Sequence, residues 1–423
     1  MAPQMLPLIK PLRGLRPAPG RAAEVAAPPY DVLSSDEARA IVHGETPKPW
    51  SFLHISKPEV DLPADIDPHA PAVYAKAAEN LDRMIAAGIL ARDAAPCYYA
   101  YRLTMATPQG EHVQTGLVAT AAVACYDANR IKKHEFTRPD KEDDRVRQIE
   151  ATNAQTGPVL LAYPASATAD ALIAAIAEGT PAADVTAAGA HHTVRHQIWI
   201  CDDAEHIAAI SRCFDGMEAL YIADGHHRSA AASRVAAARR QEEHVLSSDY
   251  FLTVIFPHHQ MKIMDYNRVV TDLNGLEKSA LLARLAAAFS VAPSNGRVAP
   301  EAPGVFGMYL AGQWYHLVIK PELVPSDPVA RLDVSLLSDH VLGPLLGIAD
   351  LRRDKRIDFV GGIRGLGELE RRVDSGEMAV AFALHPTGME QLMAVADSHN
   401  VMPPKSTWFE PKLADGLVSH VLD

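Results

Sequence analysis

The sequence predicts an α/β fold of the mixed α+β kind, and three observations indicate it. Of the 423 residues, 48% are hydrophobic, which is enough to bury one large core or two to three ordinary ones. Strand-like and helix-like segments alternate from residue 131 onward. Residues 97–123 have the pattern of two strands joined by a turn. We therefore expect a layered structure with a mainly buried sheet.

An N-terminal region, residues 1–128, combines a proline-rich irregular stretch with this hairpin. In "APPYDVLSSDEARA" a turn precedes a short helix that Ser34 or Ser35 is expected to cap. A helix is expected over 74–90, and the turn of the hairpin falls in "TPQGEH". We place the first domain border near residue 128.

The middle region, residues 129–272, carries the regular alternation, and the last region, residues 273–423, repeats it less regularly. The middle segments are a helix at 142–154, strand 158–164, helix 169–179, strand 196–202, helix 203–214, strand 219–223, helix 229–241 and strand 250–256. In the last region we expect a hairpin over 304–320, strand 356–362, helix 367–376, strand 378–384 and helix 388–399. This region has an α/β character of its own, and we place the second border near residue 273. The alternative is that the regions are interwound in one domain.

The charge balance and the spacing of the cysteines limit the kinds of molecule that the protein is expected to bind. Asp and Glu (52) outnumber Lys and Arg (40), giving a formal net charge of −12, the wrong balance for binding a phosphate backbone, so no nucleic-acid partner is expected. The four cysteines show no metal-like or C-x-x-C spacing. With no long apolar run, the sequence predicts a cytoplasmic protein without a membrane partner. The sequence is also compatible with a homodimer.

The stretch "ALYIADGHHRSAAASRVAAARR", residues 219–240, brings an acid, two imidazoles and a guanidinium to one bend. A buried strand enters it and an alanine-rich helix leaves, so Asp224 to Arg228 form a loop at a helix N-terminus. Gly225 permits close approach of the backbone, and His226, His227 and Arg228 add donors. A phosphate group is the natural occupant.

Asp224 does not suit a pure anion pocket, because its charge repels phosphate unless a cation lies between them. It therefore indicates Mg²⁺ bound to Asp224, or a hydroxyl substrate. The alternative is that Asp224 caps the helix and the histidines are ordinary packed or surface groups.

The segment "YIADGHHRSA" resembles the signature of the ParB/sulfiredoxin-like superfamily. In that superfamily the strand–loop–helix carries G-E-R-R in partition proteins, G-G-C-H-R in sulfiredoxins and D-G-H-H-R in free serine kinases, and the last form matches here residue for residue. The resemblance implies a ParB/sulfiredoxin-like core that binds ATP or ADP. His226 replaces the sulfiredoxin cysteine, which excludes thiol chemistry.

In the kinases that this signature resembles, an upstream glutamate acts as the base on the serine hydroxyl. Here "IKKHEFTRPDKEDDRVRQIEATNAQTGPVLL" stands in the corresponding order. The resemblance makes Glu135 the base. His134 beside it is a candidate for binding the substrate, and Arg145 is expected to contact phosphate or to pair with Asp143 or Asp144. Without the resemblance, Glu135 is equally a solvated loop carboxylate beside Lys132 and Lys133.

Other stretches resemble a large bacterial branch of the superfamily that is described only as SpoOJ/ParA/ParB/RepB-like or as a domain of unknown function. "PPYDVLS" contributes Tyr30 and Asp31 as substrate candidates, although turn chemistry alone explains them. "MDYNRVV" adds Asn267 and Arg268, for which a structural salt bridge is equally open. "MPPKSTWFEPKL" adds Lys405, Ser406 and Thr407 as a phosphate-binding lid or a rigid surface turn.

These observations favour a Mg²⁺-dependent phosphotransferase acting between ATP or ADP and an amino-acid hydroxyl or its phosphate ester. The resemblance implies free serine or O-phosphoserine, with the direction of transfer open. The alternatives are a ParB-like nucleotide-binding switch without turnover and a metabolite-binding protein that has kept only the anion pocket.

Overall fold

The computed structural model describes residues 6–107, 110–188, 193–241 and 244–423, and within these it contains strands and helices in alternation. The strands are β1 (Ile9–Lys10), β2 (Leu15–Pro17), β3 (Leu90–Arg92), β4 (Tyr98–Thr107), β5 (Gly110–Ala122), β6 (Ile131–Lys132), β7 (Ala154–Gln155), β8 (Val159–Tyr163), β9 (Ala183–Ala188), β10 (Thr193–Cys201), β11 (Leu220–Asp224), β12 (Tyr250–Pro257), β13 (Lys262–Met264), β14 (Tyr266–Val270), β15 (Phe289–Ser294), β16 (Val305–Leu310), β17 (Gln313–Ile319), β18 (Ile357–Gly361), β19 (Val380–Leu384), β20 (Trp408–Glu410) and β21 (His420–Val421).

The α-helices of the described residues lie between these strands. They are α1 (Ala22–Val25), α2 (Ser35–His43), α3 (Leu53–Ser56), α4 (Pro71–Ala86), α5 (Val123–Asp127), α6 (Pro139–Thr152), α7 (Ala167–Ile176), α8 (Ala204–Asp215), α9 (His226–Arg239), α10 (Lys278–Leu285), α11 (Asp333–Leu337), α12 (Leu366–Asp374) and α13 (Met389–Asp397). The expected mixed α/β class is confirmed. No helix of the described residues is both long and apolar enough to cross a membrane.

Two compact units divide the chain after Met261, and Pro411–Asp423 returns to the first of them. The first unit holds a nine-stranded sheet in the order β6-β11-β8-β12-β5-β4-β10-β9, with β1 also paired to β5. Strand β11 is parallel to β6, and β12 is parallel to β8. The remaining pairs are antiparallel, so the sheet is mixed.

The hairpin expected near residue 110 consists of β4 and β5, paired from Tyr99↔Val118 to Thr107↔Gly110. Part of its expected turn, residues 108 and 109, lies outside the described residues. Strands β10 and β12 continue the sheet on either side of the hairpin. The sheet therefore runs across residue 128, where the sequence analysis placed a border.

The central strands of the first unit are buried along nearly their whole length. Strands β8 and β12 have no exposed residue, and β11 becomes partly exposed only at Asp224. Leu161, Ile222 and Ile255 share a core cluster with Phe214 of α8. Continuous apolar runs are typical of strands that are covered on both faces, so this packing fixes the position of β11 in the sheet. Its last residue, Asp224, lies at the end of the strand, where the cover is incomplete.

Ser34 caps helix α2, as one of the two sequence alternatives stated. The backbone N–H of Glu37 donates to Ser34 Oγ at 3.2 Å, and the backbone N–H of Ser34 donates to Glu37 Oε2 at 2.8 Å. The hydroxyl of Ser35 donates to Glu59 Oε1 instead. These reciprocal bonds form a capping box that fixes the start of the helix shortly after Tyr30 and Asp31.

The second unit, Lys262–Glu410, is built on a six-stranded sheet in the order β15-β17-β16-β19-β14-β18. All of its pairs are antiparallel, and β13 pairs separately with β20. Val269, Tyr309, Trp314 and Leu369 share its core cluster. The unit thus has a core of its own.

Candidate active site

The segment from Asp224 to Arg228 is a strand-to-helix loop, as the sequence indicates. Strand β11 ends at Asp224, and α9 begins at His226 with Gly225 as its N-cap. Gly225 has φ 96° and ψ 28°, a left-handed conformation, and a Cβ there would lie 3.3 Å from Val159 Cα. Since glycine supplies no capping side chain, the N-cap residue does not cap the first N–H groups of α9, and such a helix N-terminus favours an anion.

A second segment lies at the same edge of the sheet because β6 runs parallel to β11. Leu220 pairs with Ile131 and Tyr221 with Lys132, which brings the residues after β6 beside the loop. The rings of His134 and His226 lie with their centroids 4.5 Å apart at 90°. The Nδ1 atom of His226 lies 3.7 Å from Glu135 Oε2.

Both loop histidines contact the backbone of the segment that carries Glu135. The N–H of His134 donates to His226 Nε2 at 3.4 Å, and the N–H of Arg138 donates to His227 Nε2 at 3.1 Å. Each accepting nitrogen must carry a lone pair, so both rings are in neutral forms. The two histidines thereby attach the segment around Glu135 to the start of α9.

Burial keeps these imidazoles neutral. It lowers the pKa of His134 to about 4 and lowers that of His226 well below its usual value, with the neighbouring His134 adding to the effect on His226. It also lowers the pKa of His227. A buried imidazole resists protonation because the cation loses its hydration.

Lys412 is the partner of Asp224. Its Nζ lies 3.1 Å from Asp224 Oδ2. Enclosure by protein raises the pKa of this carboxyl, but the charges of Lys412 and Arg228 outweigh that effect and hold it below its usual range. Asp224 is thus an anion already matched by a cation of the protein. One carboxylate that is paired with a lysine does not make a dedicated Mg²⁺ site. The assignment of Asp224 as a Mg²⁺ ligand stays a prediction.

Arg228 lies at the centre of a cluster with Tyr30 and Asp31. Its Nη2 donates to Asp31 Oδ2 at 2.9 Å and its Nη1 to the carbonyl of Pro158 at 2.9 Å. The guanidinium carbon lies 5.3 Å from the centre of the Tyr30 ring, and that of Arg145 lies 3.9 Å from it. The structure therefore brings together three further residues that the sequence singled out.

A small cavity of about 30 Å³, lined by both polar and apolar side chains, adjoins this cluster, with room for about two water molecules. Arg145, Arg228 and Asp415 are among the residues that line it. Asp415 is 2% exposed, and its Oδ2 accepts from the backbone N–H of Tyr30 at 3.3 Å. Burial raises the pKa of Asp415 to about 7, although Arg228 opposes this. Sequence reasoning missed Asp415 entirely.

The remaining candidates lie in the second unit. They are Asn267, Arg268, Lys405, Ser406 and Thr407. Arg268 is fully buried and donates to the backbone carbonyls of Tyr266 and Lys405, the latter at 3.0 Å. Burial lowers its pKa to about 10. These contacts are structural, and the assignment of the five residues to substrate or phosphate stays a prediction.

Among the described residues, two groups of side chains have the composition and spacing of a metal site. One is His43, His54 and Asp61, and the other is His134, Glu135 and His226. In each group the candidate ligand atoms lie within 4.8 Å of one another. Neither group includes Asp224.

Replacing Gly225 with alanine should destabilise the protein by about 1–2 kcal/mol, because a left-handed φ strains any residue with a Cβ. Urea denaturation measures the loss. Gly20→Ala is the matched control, since Gly20 has φ 80° but no atom within 4 Å of a new Cβ. A larger loss of unfolding free energy in Gly225→Ala than in Gly20→Ala would be due to the close contact with Val159. Equal losses would mean that the backbone around Val159 moves to accommodate the methyl group at no cost.

Comparison with known proteins gives a family and a set of distant structural neighbours. The family model described as "Protein of unknown function (DUF1015)" matches residues 9–335. No curated protein matches the sequence.

Similar solved structures include a free serine kinase variant in complex with AMP, at 12% identity and a TM-score of 0.36, covering 69% of this chain and 87% of the kinase. A conserved hypothetical protein from Pyrococcus furiosus has 14% identity and a TM-score of 0.35, covering 71% and 94%. SbnI with a C-terminal truncation, from Staphylococcus aureus, has 12% identity and a TM-score of 0.36, covering 71% and 86%.

Proposed function

The chain belongs to the DUF1015 family of proteins of unknown function, and we propose that it is a phosphotransferase acting between an adenine nucleotide and a small hydroxyl compound or its phosphate ester. One observation carries the proposal: Glu135 is held beside the N-terminus of α9, opposite the D-G-H-H-R loop. An anion site and a carboxylate at one sheet edge are the two parts that such a transfer needs.

The anion site is proposed to bind the transferring phosphoryl group. It combines the positive end of the α9 dipole and the close approach that Gly225 allows with Arg228 and Lys412, which are held in place by Asp31 and Asp224. Phosphoryl transfer depends mainly on positioning and charge compensation. Asp224 then holds the Lys412 ammonium in place rather than meeting the phosphate directly.

Glu135 is proposed to accept the proton of the substrate hydroxyl. Its side chain is 55% exposed, so a substrate can reach it. The contacts of His226 and His227 with the backbone on either side limit its movement. A carboxylate fixed within reach of a hydroxyl provides general-base assistance to the attacking oxygen.

The finer assignments follow from the sequence signature. D-G-H-H-R is the form that resembles free serine kinases, so the proposed substrate is free serine or O-phosphoserine, and the proposed core is ParB/sulfiredoxin-like. ATP and ADP are the proposed nucleotides, and Mg²⁺ would arrive bound to their phosphates. Kinase and reverse directions use the same groups.

Phosphorus NMR of the purified protein tests the proposal. It is given Mg²⁺ with ATP and L-serine, and separately Mg²⁺ with ADP or AMP and O-phosphoserine. We expect new phosphate resonances in one of the two, and their loss in Asp224→Ala, which removes the partner of Lys412. Nucleotide binding without turnover would instead favour a nucleotide-dependent switch. Absence of binding would contradict the anion site itself.

A further inference from the structure

The two candidate metal groups differ in whether their buried histidine has a ring nitrogen without a hydrogen-bond partner. In the first, His54 Nδ1 lies 2.8 Å from Asp61 Oδ2, and its Nε2 lies 3.0 Å from the carbonyl of Lys48. Both ring nitrogens of His54 already have a polar partner. A metal bound in this group would have to displace one of these contacts of His54.

In the second group, His134 presents an unused lone pair. Its side chain is buried, with 2% exposure, and Nδ1 has no hydrogen-bond partner among the described residues. The other ring nitrogen hydrogen-bonds the backbone of Ile222, which fixes the ring and places the proton away from Nδ1. Metal-binding histidines are oriented in this way, with one nitrogen on the metal and the other bonded to the backbone.

The spacing of the second group suits a shared ion better than a hydrogen bond. His226 Nδ1 and Glu135 Oε2 are 3.7 Å apart, which is too long for a hydrogen bond. Two ligands of a tetrahedral ion with bonds of about 2.1 Å lie about 3.4 Å apart. A small approach of the exposed Glu135 side chain would close this difference.

We propose that His134 Nδ1, His226 Nδ1 and one oxygen of Glu135 bind a divalent transition metal ion. Two neutral imidazoles and a carboxylate suit zinc, manganese, iron or cobalt, whereas Mg²⁺ prefers oxygen ligands alone. Three protein ligands leave a position for water or a substrate oxygen, as in catalytic metal sites. This ion is different from the Mg²⁺ that accompanies a nucleotide, and since it takes one oxygen of Glu135, the other oxygen is left to accept the substrate proton.

One contact competes with the metal. The backbone N–H of His134 approaches His226 Nε2 at 3.4 Å, and coordination through Nδ1 would move the ring proton to Nε2. The ion would therefore replace one long hydrogen bond with a coordination bond, and the His226 ring would have to turn so that its Nε2–H no longer faces the N–H of His134. If the hydrogen bond wins, His226 keeps its proton on Nδ1 and no ion binds.

Cobalt titration of the chelator-treated full chain decides whether the ion or the hydrogen bond prevails. The readout is the visible absorption of bound Co²⁺, with no nucleotide or substrate present. We expect one Co²⁺ per chain, a spectrum of low coordination number, and displacement by Zn²⁺. Affinity should fall by about tenfold or more in His134→Ala and Glu135→Gln. Because Glu135 is exposed, Glu135→Gln should keep the fold even if His134→Ala does not.

His43→Gln is the matched control, since it removes a half-exposed imidazole from the first group and should leave cobalt binding unchanged. Failure of the wild-type chain to bind Co²⁺ or Zn²⁺ would overturn the inference, as would binding that survives Glu135→Gln but is lost in His43→Gln. The inference would also be overturned by nitrogen-15 NMR spectra that show the His226 proton on Nδ1 both with and without metal. None of these outcomes depends on phosphotransfer.

Discussion

Glu135→Gln is expected to reduce the phosphotransfer rate by about 10²–10⁴-fold while nucleotide binding is retained. Glutamine keeps the shape of the side chain but cannot accept the hydroxyl proton. The nucleotide contacts the α9 N-terminus in the proposed arrangement, which the substitution leaves intact. Single-turnover rates and nucleotide titration, both in saturating metal, separate the two effects.

Glu142→Gln is the control for this substitution. Glu142 is a nearby carboxylate on α6 that pairs with Arg234 at 3.3 Å and accepts a hydrogen bond from Thr137. It has no role in the proposed transfer, so its variant should turn over at close to the wild-type rate. Equal losses in both variants would show that the rate depends on the charge of this region rather than on a base at residue 135.

The local part of the site could be predicted from the sequence. "ALYIA" is a short continuous apolar run, as in a buried strand, and the alanine-rich run after residue 228 is typical of a helix. A glycine between them marks the junction. The structure has β11, Gly225 and α9 in that order. The same logic located α7, α8, β8 and β12 to within a few residues.

Elements with weak local patterns were missed. Strand β9, with the sequence "ADVTAA", consists mostly of small residues and forms an edge by pairing with β10. Its alternation is too weak to separate it from a loop. The strand exists because β10 offers it a partner, which is a tertiary effect.

The cation beside Asp224 could not be assigned from the sequence for a related reason. Lys405 and Lys412 occupy one polar stretch, and nothing in their spacing says which returns to the first unit. The structure pairs Lys412 with Asp224 across 188 positions of the chain. Asp415 lies three residues later and shares the same return of the chain. Contacts of this range depend on the fold and not on local periodicity.

Asp415→Asn is expected to stabilise the protein at pH 8 by roughly 2–4 kcal/mol, and to have little effect near pH 4. The folded pKa of Asp415 is raised to about 7 from an ordinary value of 3.8, because the carboxylate is buried. Between these values the unfolded chain loses the proton and the folded chain keeps it. Stability therefore falls as the pH rises through this window, and the full cost is present above pH 7.

Asparagine avoids that cost because it never ionises, and its amide oxygen can still accept the N–H of Tyr30. The measurement is the difference in urea unfolding free energy between variant and wild type from pH 4 to 8. Asp184→Asn is the control, since the pKa of Asp184 is lowered by a partly exposed pair with Arg195. That variant should lose a little stability at pH 8 and none at low pH. A pH-independent effect of Asp415→Asn would mean that Arg228 keeps the Asp415 carboxylate ionised over the whole range, so that Arg228 is shared by Asp31 and Asp415.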